Sequence, residues 1–213
     1  MSDDFLLFQL YGPMAAWGEI AVGEERDTAS HPSRSAVLGL CAAALGIPRT
    51  REEALLELNH SLGFAVCVYS PGDILRDFHT VQAPSGKRAR DLPTRRDEIQ
   101  YGRLSATLSK RQYRTDAYYQ ACLWLRDAEG PVSLERLANA LKKPGFAVYL
   151  GRKCCPLALP LNPKVVNAKS IRDALSAYPP ASDVSRLISD SDTRTNLFWD
   201  ANTFGVDPGV DPV

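Results

Sequence analysis

Runs of apolar residues, and their alternation with polar ones, predict several strands along the chain. Residues 5–11 are apolar enough for a central strand, and residues 64–69, FAVCVY, form a continuous run typical of a strand buried on both faces. Residues 116–127 predict another strong strand, and residues 146–150, FAVYL, a further one. Residues 74–81, ILRDFHTV, alternate imperfectly, which favours an edge strand or the functional end of one.

Three other stretches have the apolar spacing of helices. A helix is predicted from Ser33 to Leu45, and Gly46 followed by Pro48 supplies its end. Residues 51–59 and 133–143 each place their apolar side chains on one helical face. Residues 83–103 are rich in Pro, Gly and Arg and are too long for an ordinary connection, so we expect a loop or an arm there.

In chain order these elements read β-α-β-β-α-β, which predicts an α+β, ferredoxin-like fold with both helices on one face of the sheet. We predict this domain at residues 1–157, with a basic arm or β-hairpin inserted at about 83–115. A small, irregular C-terminal extension is expected at 158–213, where Pro, Asp and Asn are frequent. RNA-recognition modules share this fold and leave one sheet face open for bases, although the fold alone proves no function.

Composition narrows the class of protein. The chain has 213 residues, of which 45% are hydrophobic and 23% charged, as expected for a soluble globular protein. Its N-terminus lacks the basic flank of a signal peptide, and the longest uncharged apolar run is well short of the roughly 20 residues that span a bilayer. We therefore expect neither secretion nor membrane insertion.

Cysteine and histidine usage indicates a reduced, metal-free protein. The five cysteines show no C-x-x-C spacing, and Cys41, Cys67 and Cys122 lie inside apolar elements, which is typical of reduced core residues in the cytoplasm. The adjacent Cys154 and Cys155 could form a disulfide only with strain. The three histidines do not occur at metal-ligand spacing, so neither a metal nor a cofactor is expected.

Charge is unevenly distributed, although the formal net charge is zero. Residues 76–115 contain ten Lys or Arg and four acids, which gives this segment +6 and the remainder −6. A basic face on an acidic body is typical of proteins that bind nucleic acid, and a solvated charged loop is the alternative.

The helix predicted to begin near Ser33 has an unusual first turn. Helix N-termini carry unpaired N–H groups and partial positive charge, and they usually attract Asp or Glu. No acid occurs between Asp27 and Glu52, and Arg34 occupies an unfavourable position. An external anion such as phosphate would resolve the conflict, and a solvated cap with an extended arginine is the alternative.

Five motifs in order resemble one known family. They are YGPMAAWGE (11–19), RDTASHPSRSAVLGLCAAALGI (26–47), LRDFHTV (75–81), SKRQYRTDAYYQACLWL (109–125) and YLGRKCCPL (149–157). Together they resemble the CasD family of the RAMP superfamily, subunits of the type I-E CRISPR surveillance complex Cascade. The chain departs from that family at its C-terminus, which ends in DANTFGVDPGVDPV rather than a basic and aromatic stretch.

The resemblance implies a non-catalytic, cytoplasmic RNA-binding protein. Such a subunit caps the 5′ handle of the guide RNA, holds a kink in it with an arm, and contacts the backbone subunit CasC and the large subunit CasA. The residues expected to bind RNA are Trp17, Arg26, Thr28, Ser33, Arg34, Ser35, Arg76, His79, Arg88, Arg90, Arg103, Lys110, Arg111, Arg114, Gly151, Arg152 and Lys153. No catalytic residue is expected, because another subunit cuts the repeat in type I-E systems.

Several of these assignments have alternatives. Trp17 could stack on a base or pack in the core, and His79 could be a general base or a hydrogen-bonding strand residue. A metal-independent endoribonuclease that processes repeat RNA is therefore the alternative function, with His79, His31 and Lys153 as candidates and Arg76 as a second possible source of positive charge. A scaffold without RNA contact is a third possibility, against which the +6 segment argues.

Overall fold

Two β-sheets, flanked by helices, make up the part of the chain that the computed structural model describes, which is residues 3–21, 23–85, 92–101, 104–127, 132–180, 184 and 196–200. The strands are β1 (Asp3–Tyr11), β2 (Met14–Ala15), β3 (Glu25–Arg26), β4 (Leu62–Ser70), β5 (Asp73–Pro84), β6 (Leu104–Thr115), β7 (Tyr118–Leu125), β8 (Lys164–Ala168) and β9 (Asn196–Trp199). The helices are α1 (Arg34–Ala44), α2 (Glu52–Ser61), α3 (Arg95–Tyr101), α4 (Leu134–Lys142) and α5 (Ile171–Ser176).

The first sheet has the strand order β8-β1-β7-β4-β9, and all its neighbouring strands are antiparallel. Strands β1 and β7 lie near its centre, and their apolar sequences are buried almost throughout. Ala121 of β7 is paired with Phe8 on one side and with Val66 of β4 on the other. The expected α+β class is confirmed, and the strand pairs are antiparallel except for the parallel pairing of β3 with β6 in the second sheet.

Both faces of this sheet are covered. Leu6, Phe8 and Leu10 point to one face, where they join the core formed with α1 and α4. Phe5 and Leu7 point to the other face and pack in a second core that includes α5. Bases therefore cannot lie on the centre of this sheet, unlike the open sheet of an RNA-recognition module.

The second sheet is built on a long β-hairpin. Strands β5 and β6 pair antiparallel along their whole lengths, from Asp73 opposite Thr115 to Pro84 opposite Leu104. The other edge of β6 pairs with β2 near its C-terminal end and with β3 at Lys110 and Arg111. At the root of the hairpin, Gly72 and Asp116 adopt positive φ of 63° and 56°. Over the residues that the structure describes, the predicted insertion thus consists of the end of β5, helix α3 and strand β6.

Some predicted elements are corrected by the structure. Residues 146–150 are not a strand: the N–H of Phe146 donates to the carbonyl of Ala43 (3.0 Å), so this segment follows the end of α1. The edge position beside β1 is taken instead by β8, which lies within the extension that we expected to be irregular. Strand β5, which contains residues 74–81, belongs to the second sheet.

Within the described residues, no helix combines the length and the apolar character needed to cross a membrane. The same part of the chain contains no group of three or more His, Cys, Asp or Glu side chains able to hold a metal ion.

Candidate nucleic-acid interface

The N-terminus of α1 has a serine cap and no carboxylate in its first turn. The Oγ of Ser33 accepts a hydrogen bond from the N–H of Ala36 at 3.3 Å and lies 3.0 Å from the Oγ of Ser35. Both serine side chains are exposed. They are accessible to solvent, as the predicted interface requires, and their role in binding RNA stays a prediction.

Arg34 has its partners within the protein. Its Nε donates to Oδ2 of Asp200 at 3.1 Å, and its terminal nitrogens donate to the side-chain oxygen of Asn59 and to the carbonyls of Asn59 and Leu62 at 2.5–2.6 Å. Asp200 also accepts a hydrogen bond from Arg126 at 2.8 Å. The anion that balances Arg34 thus comes from the C-terminal part of the same chain, and its expected phosphate contact stays a prediction.

His31 packs against the C-terminal strand β9, which precedes Asp200 in the chain. Its ring stacks on Phe198 of β9 with centroids 3.8 Å apart and an angle of 8° between the ring planes. Burial lowers the pKa of His31, and the negative charge of Glu19 opposes that effect only in part. The imidazole is therefore mainly neutral near pH 7, and its ring is engaged in packing.

Trp17 and Thr28 belong to the core. The indole of Trp17 is 2% exposed and meets the ring of Tyr119 edge to face, with centroids 5.6 Å apart. Its backbone N–H donates to the Oγ1 of Thr28 at 2.9 Å, and Thr28 is 6% exposed. This corrects both assignments, because the stacking face of the indole and the hydroxyl of the threonine are occupied by protein groups.

Gly151 permits a close contact between two backbone segments. Its φ is +84°, and a Cβ at this position would meet the carbonyl oxygen of Ala16 at 1.8 Å. The N–H of Ala16 donates to the carbonyl of Leu150 at 3.0 Å, which holds the two segments together. The glycine is therefore required for packing against Ala16, and its expected contact with a phosphate stays a prediction.

Three arginines meet where β3, β6 and the turn after Leu150 come together. Arg26 is paired with Arg111 across β3 and β6, so their side chains share one face of the second sheet. Arg152 donates to the carbonyls of Gln112 (3.0 Å) and Arg26 (3.1 Å), and its guanidinium lies 4.8 Å from the ring centre of Tyr113. We call Arg26, Arg111 and Arg152 the basic junction.

The opposite face of the hairpin combines positive charge with exposed apolar side chains. Arg76 and Phe78 alternate with neighbours that face the other way on β5, and Lys110, paired with Phe78, shares their face. Leu108 and Arg114 lie on the same face of β6. Phe78 is 66% exposed and Leu108 55%. We call Arg76, Phe78, Leu108, Lys110 and Arg114 the Phe78 face.

Acidic side chains are sparse around the Phe78 face. Neither strand of the hairpin contributes an acid to it over the residues that the structure describes. Glu25 of β3 approaches Lys110 at 3.2 Å in an exposed ion pair, which contributes little to stability. The Nε of Arg114 donates to the carbonyl of Ala29 at 3.2 Å. Positive charge therefore dominates this surface.

His79 lies on the junction side of the hairpin. Its Nε2 contacts Oδ2 of Asp77, two residues earlier on β5, and Asp77 is paired with Arg111 across the strands. Arg76 projects to the other face because neighbouring strand residues alternate. The ribonuclease alternative needs Arg76 to stabilise charge at a reaction centre beside His79. From the opposite face of the strand, Arg76 cannot do so.

Most of the predicted basic side chains that the structure describes lie on the second sheet or in the turn beside it. The exposed Lys153 lies in the same turn as Arg152. Arg88, Arg90 and Arg103 lie outside the described residues, so their contribution stays a prediction.

Sequence reasoning missed Phe78 and Asp200. Phe78 could have been found, because the alternation in residues 74–81 places it on the face of Arg76. Asp200 gave no comparable signal, because its partner Arg34 is 166 positions away along the chain.

Comparisons with known proteins all match CRISPR-associated proteins. Residues 5–204 match the family described as CRISPR-associated protein (Cas_Cas5). The chain is 34% identical over 186 residues to the CRISPR system Cascade subunit CasD of Escherichia coli (strain K12), covering 83% of this chain and 77% of that protein. It is also similar to a chain of a solved CRISPR RNA-guided surveillance complex, with 32% identity, a TM-score of 0.53 and coverage of 74% of this chain and 61% of that chain.

Proposed function

Because this chain belongs to the Cas5 family of CRISPR-associated proteins, we propose that it is a Cascade subunit that binds the 5′ handle of the guide RNA without cleaving it. The relative named as a Cascade subunit supports the assignment to that complex. The similar solved chain comes from a surveillance complex that is RNA-guided, which supports RNA as the ligand.

The Phe78 face is the observation that carries this proposal. An exposed aromatic ring between Arg76 and Lys110 offers a base a stacking surface and offers the adjoining phosphates two positive charges. Stacking of one base on an aromatic side chain contributes about 1–3 kcal/mol, whereas basic side chains make binding dependent on salt. A single-stranded RNA handle matches both features, since its bases are free to unstack.

We further propose that strands β8, β1, β7 and β4 form a ferredoxin-like core. Their order in the sheet corresponds to 4-1-3-2 when these strands alone are numbered along the chain. Helices α1 and α2 connect β1 to β4, and α4 lies between β7 and β8, as this arrangement needs. The hairpin is then an insertion between the second and third strands of that core.

The expected protein partners are the backbone subunit CasC and the large subunit CasA, in a cytoplasmic complex. Leu75 and Val81 on the junction side of the hairpin are 43% and 47% exposed, which suits a protein contact better than solvent. The exposed apolar residues of the junction side would then contact a subunit. RNA would bind the Phe78 face and extend to the arginines of the basic junction, which are also expected to bind it.

A metal-independent ribonuclease is the second candidate, and the His79–Asp77 pair is the observation that favours it. A carboxylate that orients an imidazole is part of many general-base sites. Against it, Arg76 lies on the opposite strand face and His31 is engaged with Phe198. We therefore expect the purified chain to leave repeat RNA uncut in the absence of metal, and His79→Ala to change nothing in that assay.

The direct test is salt-dependent binding of a synthetic RNA with the repeat-derived 5′ handle. Reversing Arg76 and Lys110 to Glu should remove two phosphate contacts, which flattens the slope of log affinity against log salt by about 1.4 for a single strand. The matched control reverses Arg136 and Lys142, two exposed basic residues of α4, with the same change in net charge.

A control that binds normally, together with a weakened hairpin variant, supports the proposal. Equal losses in the two variants would show that only net charge matters. Normal binding by the hairpin variant would remove the Phe78 face from the interface.

A further inference from the structure

The turn that supplies Arg152 to the basic junction also contains two adjacent cysteines. All five cysteines lie within the described residues and are unbridged, and Cys154 is the exposed one among them. Cys155 is fully buried, and the two sulfurs are 4.0 Å apart. The turn therefore places an accessible thiol next to a buried one.

Neighbouring groups distinguish the two thiols. The hydroxyl of Tyr113 lies 3.8 Å from the sulfur of Cys154, at the surface of the turn. Burial raises the pKa of Cys155 to about 11, against a smaller opposing effect of the Arg152 charge. Cys154 is thus the thiol that a soluble oxidant reaches first. Cys155 is the buried neighbour that can react with oxidised Cys154.

Hydrogen bonds connect this pair to the basic junction. The N–H of Cys155 donates to the carbonyl of Arg152 at 2.9 Å, and the N–H of Leu150 donates to the carbonyl of Cys155 at 2.8 Å. The Arg152 side chain in turn bridges β6 and β3 through the carbonyls of Gln112 and Arg26. A change in the backbone of the turn must therefore move Arg152 relative to the hairpin.

We propose that Cys154 and Cys155 form a peroxide-sensitive dithiol that controls the position of Arg152 at the basic junction. The modification itself is independent of the function proposed above, and its effect on RNA binding rests on that function. The ligand class is a small hydroperoxide, which can reach the exposed sulfur.

The chemistry balances in two steps. The Cys154 thiolate attacks one peroxide oxygen, so that an S–O bond forms, the O–O bond breaks, and the departing hydroxide takes up a proton to become water. The Cys155 sulfur then attacks the sulfenic acid sulfur, so that an S–S bond forms, the S–O bond breaks, and a second water leaves. Both sulfurs are oxidised and the peroxide is reduced, with the two thiol protons ending in water.

Closing this ring requires the turn to change shape. The sulfurs must approach to about 2 Å, and neighbouring Cα atoms about 3.8 Å apart are closer than disulfides prefer. The backbone has little freedom to adapt, because Gly151 is packed against the carbonyl of Ala16. The strain of the closed ring therefore acts on the neighbouring contacts of Arg152, and strained disulfides are easily reduced again by thiols.

The experiment treats the full, reduced chain with hydrogen peroxide and follows intact mass and RNA binding in parallel. We expect a loss of two hydrogens, recovered with dithiothreitol, and about tenfold weaker binding of the handle RNA in the oxidised form, as for loss of one charge-assisted contact. Cys154→Ser should bind RNA like the reduced wild type and show neither change. Cys155→Ser should stop at a sulfenic acid that dimedone traps.

The outcomes separate the two proposals. No loss of two hydrogens at peroxide levels that oxidise free dithiols overturns the dithiol, whatever the RNA result. Oxidation with unchanged RNA affinity overturns the control of Arg152. If the reduced protein binds no handle RNA, the proposed function fails, and the mass measurement still decides whether the dithiol exists.

Discussion

The first sheet and the hairpin are built from similar apolar residue types and treat them in opposite ways. Phe8 of β1 is fully buried between β7 and the helices, whereas Phe78 of β5 is 66% exposed beside Arg76. Strand β1 is covered on both faces, and much of β5 has solvent on both. The body buries its apolar surface, which stabilises the fold, whereas the hairpin leaves its own exposed, as surfaces that bind partners do.

This difference teaches that exposure, more than residue type, decides which of the predicted RNA contacts remain open to a ligand. The predicted RNA contacts that are buried, Trp17 and Thr28, lie at the edge of the body and have protein partners. Most of those that remain exposed belong to the second sheet or the turn beside it. Four substitutions test the contrast, in order of decreasing effect on the free energy of unfolding.

Phe8→Ala should lower the free energy of unfolding by about 3–5 kcal/mol, because it leaves a cavity in the main core. Chemical denaturation followed by circular dichroism measures the change. A loss below about 1 kcal/mol would mean that the body is not tightly packed around this ring, and the contrast with Phe78 would fail.

Gly151→Ala should cost about 3 kcal/mol, because the new Cβ would overlap the carbonyl oxygen of Ala16 in a left-handed backbone conformation. The same denaturation experiment applies. Gly23→Ala is the matched control, since Gly23 also has positive φ but a Cβ there meets no atom within 4 Å. Equal losses at both positions would attribute the effect to φ alone.

Asp200→Asn should cost about 2 kcal/mol, because Arg34 and Arg126 lose the carboxylate that both contact. RNA affinity of the folded variant should stay within about twofold of wild type, as expected if Arg34 serves stability. A strong loss of RNA binding at unchanged stability would return Arg34 to the interface.

Phe78→Ala should change the free energy of unfolding by less than about 0.5 kcal/mol, because the ring is mostly exposed. Its binding of handle RNA should weaken by about 1–3 kcal/mol through the lost stacking. Phe78→Trp should bind handle RNA like the wild type, because the indole also offers a base a stacking surface. Unchanged RNA affinity in Phe78→Ala would show that the exposed ring does not bind RNA, and the contrast with Phe8 would then have no functional meaning.

Elements with strong local signals could be predicted from the sequence. Strands β1, β4 and β7 are continuous apolar runs, and α1 has a serine cap before it and Gly46 after it at φ 73°. The family also follows from motifs in register, because each motif is local and their order carries the information.

Other features depend on partners far away in the chain. Residues 146–150 have the composition of a strand, but their first backbone donor is taken by the end of α1. Strand β8 is short and has only moderate apolar character, so its own sequence predicts it weakly. It forms a strand because it pairs with the edge of β1 that β7 leaves free. The same holds for Arg34, whose partner Asp200 no local pattern indicates.

The root of the hairpin gives the molecule a mechanical property. Each hairpin strand has 12 residues, so at about 3.3 Å per residue the described strands reach roughly 40 Å from Gly72 and Asp116. A rotation of about 10° at that root would displace the far end by roughly 7 Å. Small angular changes beside the body would thereby become displacements of several ångströms at the far end of the hairpin.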